Sequence, residues 1–147
     1  MPVFKQGNMW DIYIEVDNFV ITTNSFLKNN GAVVMGRGIA QQARDSFEGI
    51  DFYFGERIKE SCGHLGTYGF IFTTPIALFQ VKKHFKDQAS LELISLSTEM
   101  LASAAKKHPK ETFALNYPGV GNGKLDKKDV QPIIETLPDN VQIWTFK

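Results

Sequence analysis

The 147-residue chain has little of what several kinds of site require. Cys62 is its single cysteine, so no disulfide can form within the chain and no cysteine-based metal site can be built. Sixteen basic residues balance sixteen acidic ones, so no net charge drives binding to nucleic acid or to a membrane. No apolar run approaches the ~20 residues of a transmembrane helix, and no charged-then-apolar signal pattern opens the chain. We therefore expect a cytoplasmic protein without a membrane partner.

The composition is that of one globular domain over residues 1–147. Apolar residues make up 43% of the chain and charged residues 22%, which is typical of a folded protein rather than a disordered one. No internal repeat, low-complexity tract or linker divides the sequence. No His/Asp/Glu group has the spacing of metal ligands, so the sequence predicts no metal site.

Short apolar runs alternate with amphipathic helical patterns along the chain. They predict strands over 18–24, 67–72, 76–81, 112–117 and 141–146, and helices over 39–47, 52–60, 88–107 and 127–135. Asp87 and Asp126 precede the last two helices and are placed to cap them. This alternation predicts an α/β fold, a three-layer α/β/α sandwich with a mixed, mostly parallel sheet. Ligands of such sheets bind beyond the carboxyl ends of the strands.

Two glycine-rich turns stand between predicted strands and helices, and they read Met35-Gly36-Arg37-Gly38-Ile39 and Gly119-Val120-Gly121-Asn122-Gly123. Successive glycines let backbone N–H groups point toward one position, and a following helix N-terminus adds partial positive charge. Each turn therefore suits a phosphate, although the backbone geometry of the connection also explains glycine there. Because both turns fall at the same edge of the predicted sheet, we expect one cleft that holds a ligand with two phosphates.

Three segments together resemble the ADP-ribose-binding macro domain: Gln6-Gly7-Asn8-Met9-Trp10, Thr22-Thr23-Asn24-Ser25 with the following 34–43, and Pro118-Gly119-Val120-Gly121-Asn122-Gly123-Lys124-Leu125. They occur in the family's order. The first glycine loop is most similar to that of the branch that contains the terminal ADP-ribose protein glycohydrolase and the DNA ADP-ribosyl glycohydrolase antitoxin. Phage and bacterial proteins share the sequence pattern of this loop. The resemblance implies a macro-like domain that binds ADP-ribose, an ADP-ribosylated macromolecule or ADP-ribose 1″-phosphate, with neither cofactor nor metal.

The resemblance also implies roles for single positions. Gly7, Asn8 and Met9 would lie beside the adenine. The family usually has aspartate where this chain has Asn8, whose amide oxygen can still accept a hydrogen bond. Asn24 would face the distal ribose, or it simply ends its strand. The diphosphate would be wrapped on two sides, by Met35, Gly36, Arg37, Gly38 and Ile39 and by Pro118, Gly119, Val120, Gly121, Asn122 and Gly123.

The sequence allows two interpretations for each of two further residues, Arg37 and Tyr117. Arg37 would add a cation to the diphosphate or the distal ribose, or it lies on a solvated loop. Tyr117 would flank the cleft, or it belongs to the core.

Catalysis is less well supported by the resemblance. Glycohydrolases of this branch use an aspartate in the second glycine loop and a lysine on a preceding strand. This chain has Gly123 at the aspartate's position, and the predicted strands 67–72 and 76–81 contain no lysine. Asp126 is the nearest carboxylate, and helix capping explains it better. The candidate catalytic residues are therefore Asn24, Arg37 and His84, acting on an ordered water.

The segment Lys82-Lys83-His84-Phe85-Lys86 combines cations with an aromatic ring. It would contact a phosphate or a single nucleic-acid strand with Phe85 stacking, or it is a solvated connection. His84 can act as general acid or base if this loop reaches the cleft. Three functions remain: an ADP-ribose-binding module, an ADP-ribosyl hydrolase or 1″-phosphatase, and a nucleic-acid-binding module. We expect the first, with weak or no turnover.

Overall fold

Six strands and four helices alternate along the chain, and the computed structural model describes residues 1–146. The strands are β1 (Val3–Gln6), β2 (Asn18–Thr23), β3 (Phe70–Ile71), β4 (Ile76–Gln80), β5 (Phe113–Asn116) and β6 (Val141–Thr145). The helices are α1 (Gly38–Ser46), α2 (Ile50–Ser61), α3 (Leu91–Lys107) and α4 (Lys127–Ile134), with short 3-10 helices at Met9–Ile12 and Gly121–Gly123. Within residues 1–146, no helix combines the length and the apolar character that a membrane crossing requires.

The strands form one sheet in the order β1-β6-β5-β2-β4-β3. The pairs β1–β6, β6–β5, β5–β2 and β2–β4 are parallel, and β3 runs antiparallel to β4. Central strand β2 places Val20 opposite Leu115 on one side and Ala77 on the other. The predicted mixed, mostly parallel sheet is confirmed.

Two apolar cores lie on the two faces of this sheet. On one face, Phe19 and Ile21 of β2 pack with Phe54 and Ile58 of α2, and α1 adds two alanines. On the other face, Val20 belongs to the core that α3 and α4 cover. Side chains alternate between the faces of a strand, so neighbouring residues of β2 enter different cores. The predicted three-layer α/β/α sandwich is thereby confirmed.

Several boundaries and one cap differ from the sequence prediction. Strand β1 was not predicted, because all its residues are exposed at the sheet edge and it has no buried apolar run. The predicted strand 67–72 shrinks to β3, since the side-chain oxygen of Gln80 accepts from the N–H groups of Tyr68 and Gly69 at 2.8 and 3.0 Å. That side chain takes the place of a strand partner.

The capping prediction for α3 was wrong. The helix begins at Leu91, and the Ser90 hydroxyl accepts a hydrogen bond from Leu93 N–H at 3.2 Å. The Asp87 carboxylate instead accepts from His84 N–H at 3.3 Å within the preceding loop. Asp126 does occupy the N-cap position of α4, although its side chain makes no capping hydrogen bond.

Candidate functional site

A cleft of about 1150 Å³ opens at the carboxyl ends of the parallel strands. Its floor is formed where β2, β4, β5 and β6 end, because the last residues of β2, β5 and β6 and the residues just after β4 line it. The Asn116 side chain fastens β5 to β2 there, accepting from Thr22 N–H at 3.0 Å and donating to Thr22 Oγ1 at 2.8 Å. The strands that end before Asn24 and Tyr117 are therefore direct neighbours, as the sequence predicted.

The two glycine-rich loops meet across this cleft. Residues 36–39 and residues 119–123 both line it. Gly38 has a φ of +61°, and a Cβ built on it would lie 3.1 Å from the Nδ2 atom of Asn122. A side chain at Gly38 would therefore need both a strained backbone and a displaced Asn122. The absence of a side chain is what lets the loops approach one another.

Four cations line the same cleft. Lys82 and Lys86 follow β4, Arg37 precedes α1, and Lys124 follows the second glycine loop. Burial lowers the pKa of the Lys82 ammonium, Asp87 opposes that shift, and the charges of Arg37 and Lys124 add to it. The Lys82 Nζ atom donates to the backbone oxygen of Asp87 at 3.2 Å. Cations that disfavour one another in this way create a potential that attracts an anion.

The β1–β6 end of the cleft is aromatic. Gly7 N–H donates to Thr145 oxygen at 2.9 Å, which places the Gly7–Asn8 turn beside β6. Trp144, Phe146 and Trp10 line this end. Trp10 Nε1–H donates to the side-chain oxygen of Gln42 on α1 at 2.9 Å, which orients the indole. Flat apolar rings of this kind suit a planar group of a ligand.

Asn8 lines the cleft and also caps a helix. Its Oδ1 atom accepts from Trp10 N–H at 3.0 Å and caps the 3-10 helix Met9–Ile12. Met9 lines the cleft but is 4% exposed and belongs to the core. The amide oxygen that the sequence offered to an adenine is therefore engaged within the chain.

Asn24 lines the cleft but is 6% exposed, and its amide is engaged on both sides. Nδ2 donates to Val34 oxygen at 2.9 Å, and Oδ1 accepts from Phe26 N–H at 2.9 Å. These bonds attach the segment before the first glycine loop to the end of β2. Asn24 thus holds the loop in place, whatever it contributes to a ligand.

Tyr117 combines both roles that the sequence left open. It is 8% exposed and packed in the core, and it also lines the cleft. Its hydroxyl donates to the side-chain oxygen of Gln131 at 2.5 Å, and burial, with the Glu135 charge, raises its pKa to about 12. The hydroxyl therefore stays protonated and fixed at neutral pH.

Three of the predicted site residues do not line the cleft. Met35 is 1% exposed and packs in the core beneath α1 and α2, and Pro118 is buried. The His84 ring stacks on Phe85 with ring centroids 4.6 Å apart and packs against Phe26 at 4.7 Å. Its Nδ1 atom accepts from Lys86 N–H at 3.1 Å. The loop does reach the cleft, but through its neighbours and not through the imidazole.

The fold adds to the predicted site Trp10, Gln42, Asp87, Gln88, Lys124, Trp144 and Phe146. It also brings to the cleft Lys82, Phe85 and Lys86 of the segment for which the sequence left a phosphate contact and a solvated connection open. Lys82 was not recognised as the lysine at a strand end because β4 ends at Gln80. A search two residues past each predicted strand end would have found it. Within residues 1–146, no three His, Cys, Asp or Glu side chains are grouped to hold a metal ion.

The position that the resemblance assigns to a catalytic aspartate is closed to a side chain. A Cβ on Gly123 would lie 2.9 Å from the Cβ of Ala89, whose N–H donates to Gly123 oxygen at 2.9 Å. Among residues 1–146, the carboxylate that lines the cleft is Asp87, two residues before Ala89.

No protein-family model matches the sequence, and a search of curated proteins finds no relative. Solved structures are similar. The macrodomain of Mycobacterium tuberculosis DarG is 23% identical with a TM-score of 0.73, over 99% of this chain and 97% of that one. The macrodomain of Thermus aquaticus DarG is 22% identical with a TM-score of 0.69, over 100% and 98%. Thermosipho africanus DarTG in complex with ADP-ribose is 20% identical with a TM-score of 0.74 over 97% of this chain, which spans 41% of that longer protein. The chain therefore has the fold of the macrodomains, those of DarG among them.

Proposed function

We propose that the cleft binds ADP-ribose or a close derivative, such as an ADP-ribosyl group on a macromolecule or ADP-ribose 1″-phosphate. The observation that carries this proposal is the convergence of two glycine-rich loops and four cations on one cleft of about 1150 Å³. Backbone N–H groups and fixed cations are the partners that a diphosphate requires. A cleft of this size is ample for a dinucleotide-sized ligand.

The order of groups along the cleft matches the order of groups in such a ligand. Trp144 and Phe146 lie at the β1–β6 end, the glycine loops lie in the middle, and Lys82 and Phe85 lie on the loop after β4. A base, a diphosphate and a second ribose would occupy these positions in turn. The fold shared with DarTG, which was solved with ADP-ribose, supports the same class of ligand.

Calorimetric titration with ADP-ribose, AMP and NAD tests this proposal. We expect ADP-ribose to bind more tightly than AMP, because AMP lacks the second phosphate and the distal ribose. Lys82→Met should weaken ADP-ribose binding about tenfold, which corresponds to ~1.4 kcal/mol. The matched control is Lys59→Met, which removes the same charge from an exposed position on α2, outside the cleft.

The salt dependence of binding separates this function from nucleic-acid binding through 82–86. Contacts to a nucleic-acid backbone weaken steeply with salt, whereas a pocket built on backbone N–H groups responds less. No measurable binding of ADP-ribose, or equal affinity for AMP, would contradict the proposal.

A second candidate function is hydrolysis of an ADP-ribosyl bond, and Lys82 is the observation that favours it. Burial lowers its pKa, which increases the share of neutral amine at a given pH, and a neutral amine can act as a base or a nucleophile. Hydrolysis would join a water oxygen to the anomeric carbon of the distal ribose as the bond from that carbon to the macromolecule breaks, and the proton that the water loses would end on the leaving atom of the macromolecule. Gly123, however, stands where the resemblance places the catalytic aspartate, so we expect slow release or none.

Turnover assays on ADP-ribosylated protein, ADP-ribosylated DNA and ADP-ribose 1″-phosphate distinguish the two functions. Rapid multiple turnover that Lys82→Met abolishes, with Lys59→Met unaffected, would make the protein an enzyme. Binding without turnover would leave it a binding module.

A further inference from the structure

Gln80 lies at the floor of the cleft without lining it. It is the last residue of β4, it stands opposite Thr23 at the end of β2, and its side chain is fully buried. A buried amide requires partners for its oxygen and for its two N–H groups, since each unpaired polar atom costs free energy. The partners of Gln80 therefore show which segments this side chain joins.

The amide oxygen of Gln80 holds the segment before β3. Oε1 accepts from Tyr68 N–H at 2.8 Å and from Gly69 N–H at 3.0 Å. The Tyr68 hydroxyl forms a hydrogen bond with Thr23 Oγ1 and donates to the backbone oxygen of Asn24 at 3.2 Å. Gln80 is thereby linked to the end of β2, where Asn24 lines the cleft.

The amide nitrogen of Gln80 holds the chain just after β4. Nε2 lies 3.0 Å from Gly66 oxygen and 3.2 Å from both Ser25 Oγ and Lys82 oxygen, so three acceptors share its two N–H groups. Ser25 Oγ donates to Gly66 oxygen at 2.8 Å, and Ser25 N–H donates to Lys83 oxygen at 3.1 Å. The Gln80 amide is thus the centre of a network that fixes the Lys82 backbone against the end of β2.

We infer that Gln80 is a positioning residue of the site, which holds the Lys82 backbone so that the ammonium stays in the cleft and faces the ligand. From this fixed backbone the Lys82 side chain reaches the cleft, where Nζ donates to Asp87 oxygen at 3.2 Å. A lysine side chain is flexible, so a fixed backbone limits the positions that its ammonium can take. The inference rests on the proposed function and adds to it a residue that acts from beneath the site.

Gln80→Glu and Asn140→Asp form a matched pair of variants. Asn140 lies outside the cleft, and its amide nitrogen also has three acceptors, the backbone oxygens of Ala105, His108 and Glu111. Each substitution replaces the amide N–H donors with a carboxylate oxygen of similar shape. We expect Gln80→Glu to weaken ADP-ribose binding about fivefold in calorimetry, and Asn140→Asp to weaken it less than about twofold. Equal effects of the two variants would make Gln80 a structural residue only and overturn the inference.

A double-variant cycle tests whether Gln80 acts through Lys82. In the Lys82→Met protein, Gln80→Glu should change the affinity for ADP-ribose by less than about twofold, because no ammonium is left to misplace. The same loss of affinity with and without the Lys82 ammonium would show that Gln80 acts by another route, and would overturn the inference.

Gln80→Met removes the amide without adding a charge. We expect it to weaken ADP-ribose binding about fivefold as well. The pKa of Lys82, followed by NMR of ¹³C-labelled lysine, should move toward the ordinary lysine value in Gln80→Met, because the ammonium leaves its partly buried position. Asn140→Asp should leave that pKa unchanged.

Two results of these measurements would overturn the inference while leaving the proposed function intact. One is an unchanged Lys82 pKa in a folded Gln80→Met protein. The other is the failure of both Gln80 variants to fold in thermal unfolding experiments, which would mean that the amide serves the fold alone. If the unmodified protein binds no ADP-ribose, the proposed function fails, and the pKa comparison still tests whether Gln80 positions Lys82.

Discussion

Gly119 lies so close to Ile94 that a Cβ built on it would be 2.5 Å from the Ile94 Cδ1 atom. In the same loop, a Cβ on Gly121 would meet nothing within 4 Å. Both glycines have left-handed backbones, with φ of +77° and +78°. The first glycine therefore packs closely against α3, and the second leaves open space at the cleft.

Alanine at these two positions should separate packing from backbone strain. Gly119→Ala combines the left-handed penalty with a clash against a core side chain, so we expect a loss of about 3 kcal/mol in the free energy of unfolding. Gly121→Ala meets only the backbone penalty and should lose about 1 kcal/mol. Urea denaturation measures both. Equal losses would show that the Gly119 contact relaxes without cost.

A larger side chain at Gly121 should interfere with the ligand more than with the fold. Gly121→Val pays the left-handed backbone penalty but meets no atom within 4 Å in the free protein, and its side chain would occupy the cleft. We therefore expect it to weaken ADP-ribose binding more than about tenfold. Calorimetry gives the affinity, and circular dichroism shows whether the variant is folded. Unchanged binding in a folded Gly121→Val protein would make this loop a connector only.

Lys82 should make stability depend on pH in the alkaline range. Its pKa is lower in the folded protein than the ordinary lysine value. At a pH between these two values, the unfolded chain binds more protons than the folded one, so the free energy of unfolding rises with pH. Below that window the penalty of burying the charged ammonium is fully present. Lys82→Met should therefore be at least as stable as the unmodified protein at about pH 7. At about pH 11, the free energy of unfolding of the unmodified protein should have risen relative to that of Lys82→Met.

Urea unfolding at both pH values measures this effect, and Lys59→Met is the control because Lys59 is exposed. A Lys82→Met protein that is clearly less stable at neutral pH would show that the bond from Lys82 to the Asp87 oxygen outweighs the burial cost.

Removal of the Asn24 amide should affect stability first. Asn24→Ala leaves Val34 oxygen and Phe26 N–H without their partners, so we expect a loss of about 2 kcal/mol in the free energy of unfolding. Asn30→Ala is the control, because exposed Asn30 accepts one hydrogen bond, from Ala32 N–H, and should lose less than about 1 kcal/mol. Equal stability of Asn24→Ala and the unmodified protein would mean that water replaces both bonds.

Fold class followed from the sequence because it depends on local patterns. The apolar run of β2 and the apolar stripe of α3 are visible in their own residues, and each pattern allows one kind of element. Strand β1 was missed for the same reason, since its exposed residues Val3–Gln6 carry no such pattern. It exists because β6 offers a free edge, which is a property of the assembled sheet.

The sequence by itself determined the two glycine loops and their place ahead of α1 and α4, because a left-handed or closely packed backbone needs glycine locally. Tertiary structure decided what else faces the cleft. Lys82 and Arg37 are distant in sequence and come together only because β4 pairs with β2. Tertiary structure also took Met35 into the core and turned the oxygen of Asn8 toward Trp10. Contacts between distant segments depend on strand order and packing, and no local pattern encodes either of them.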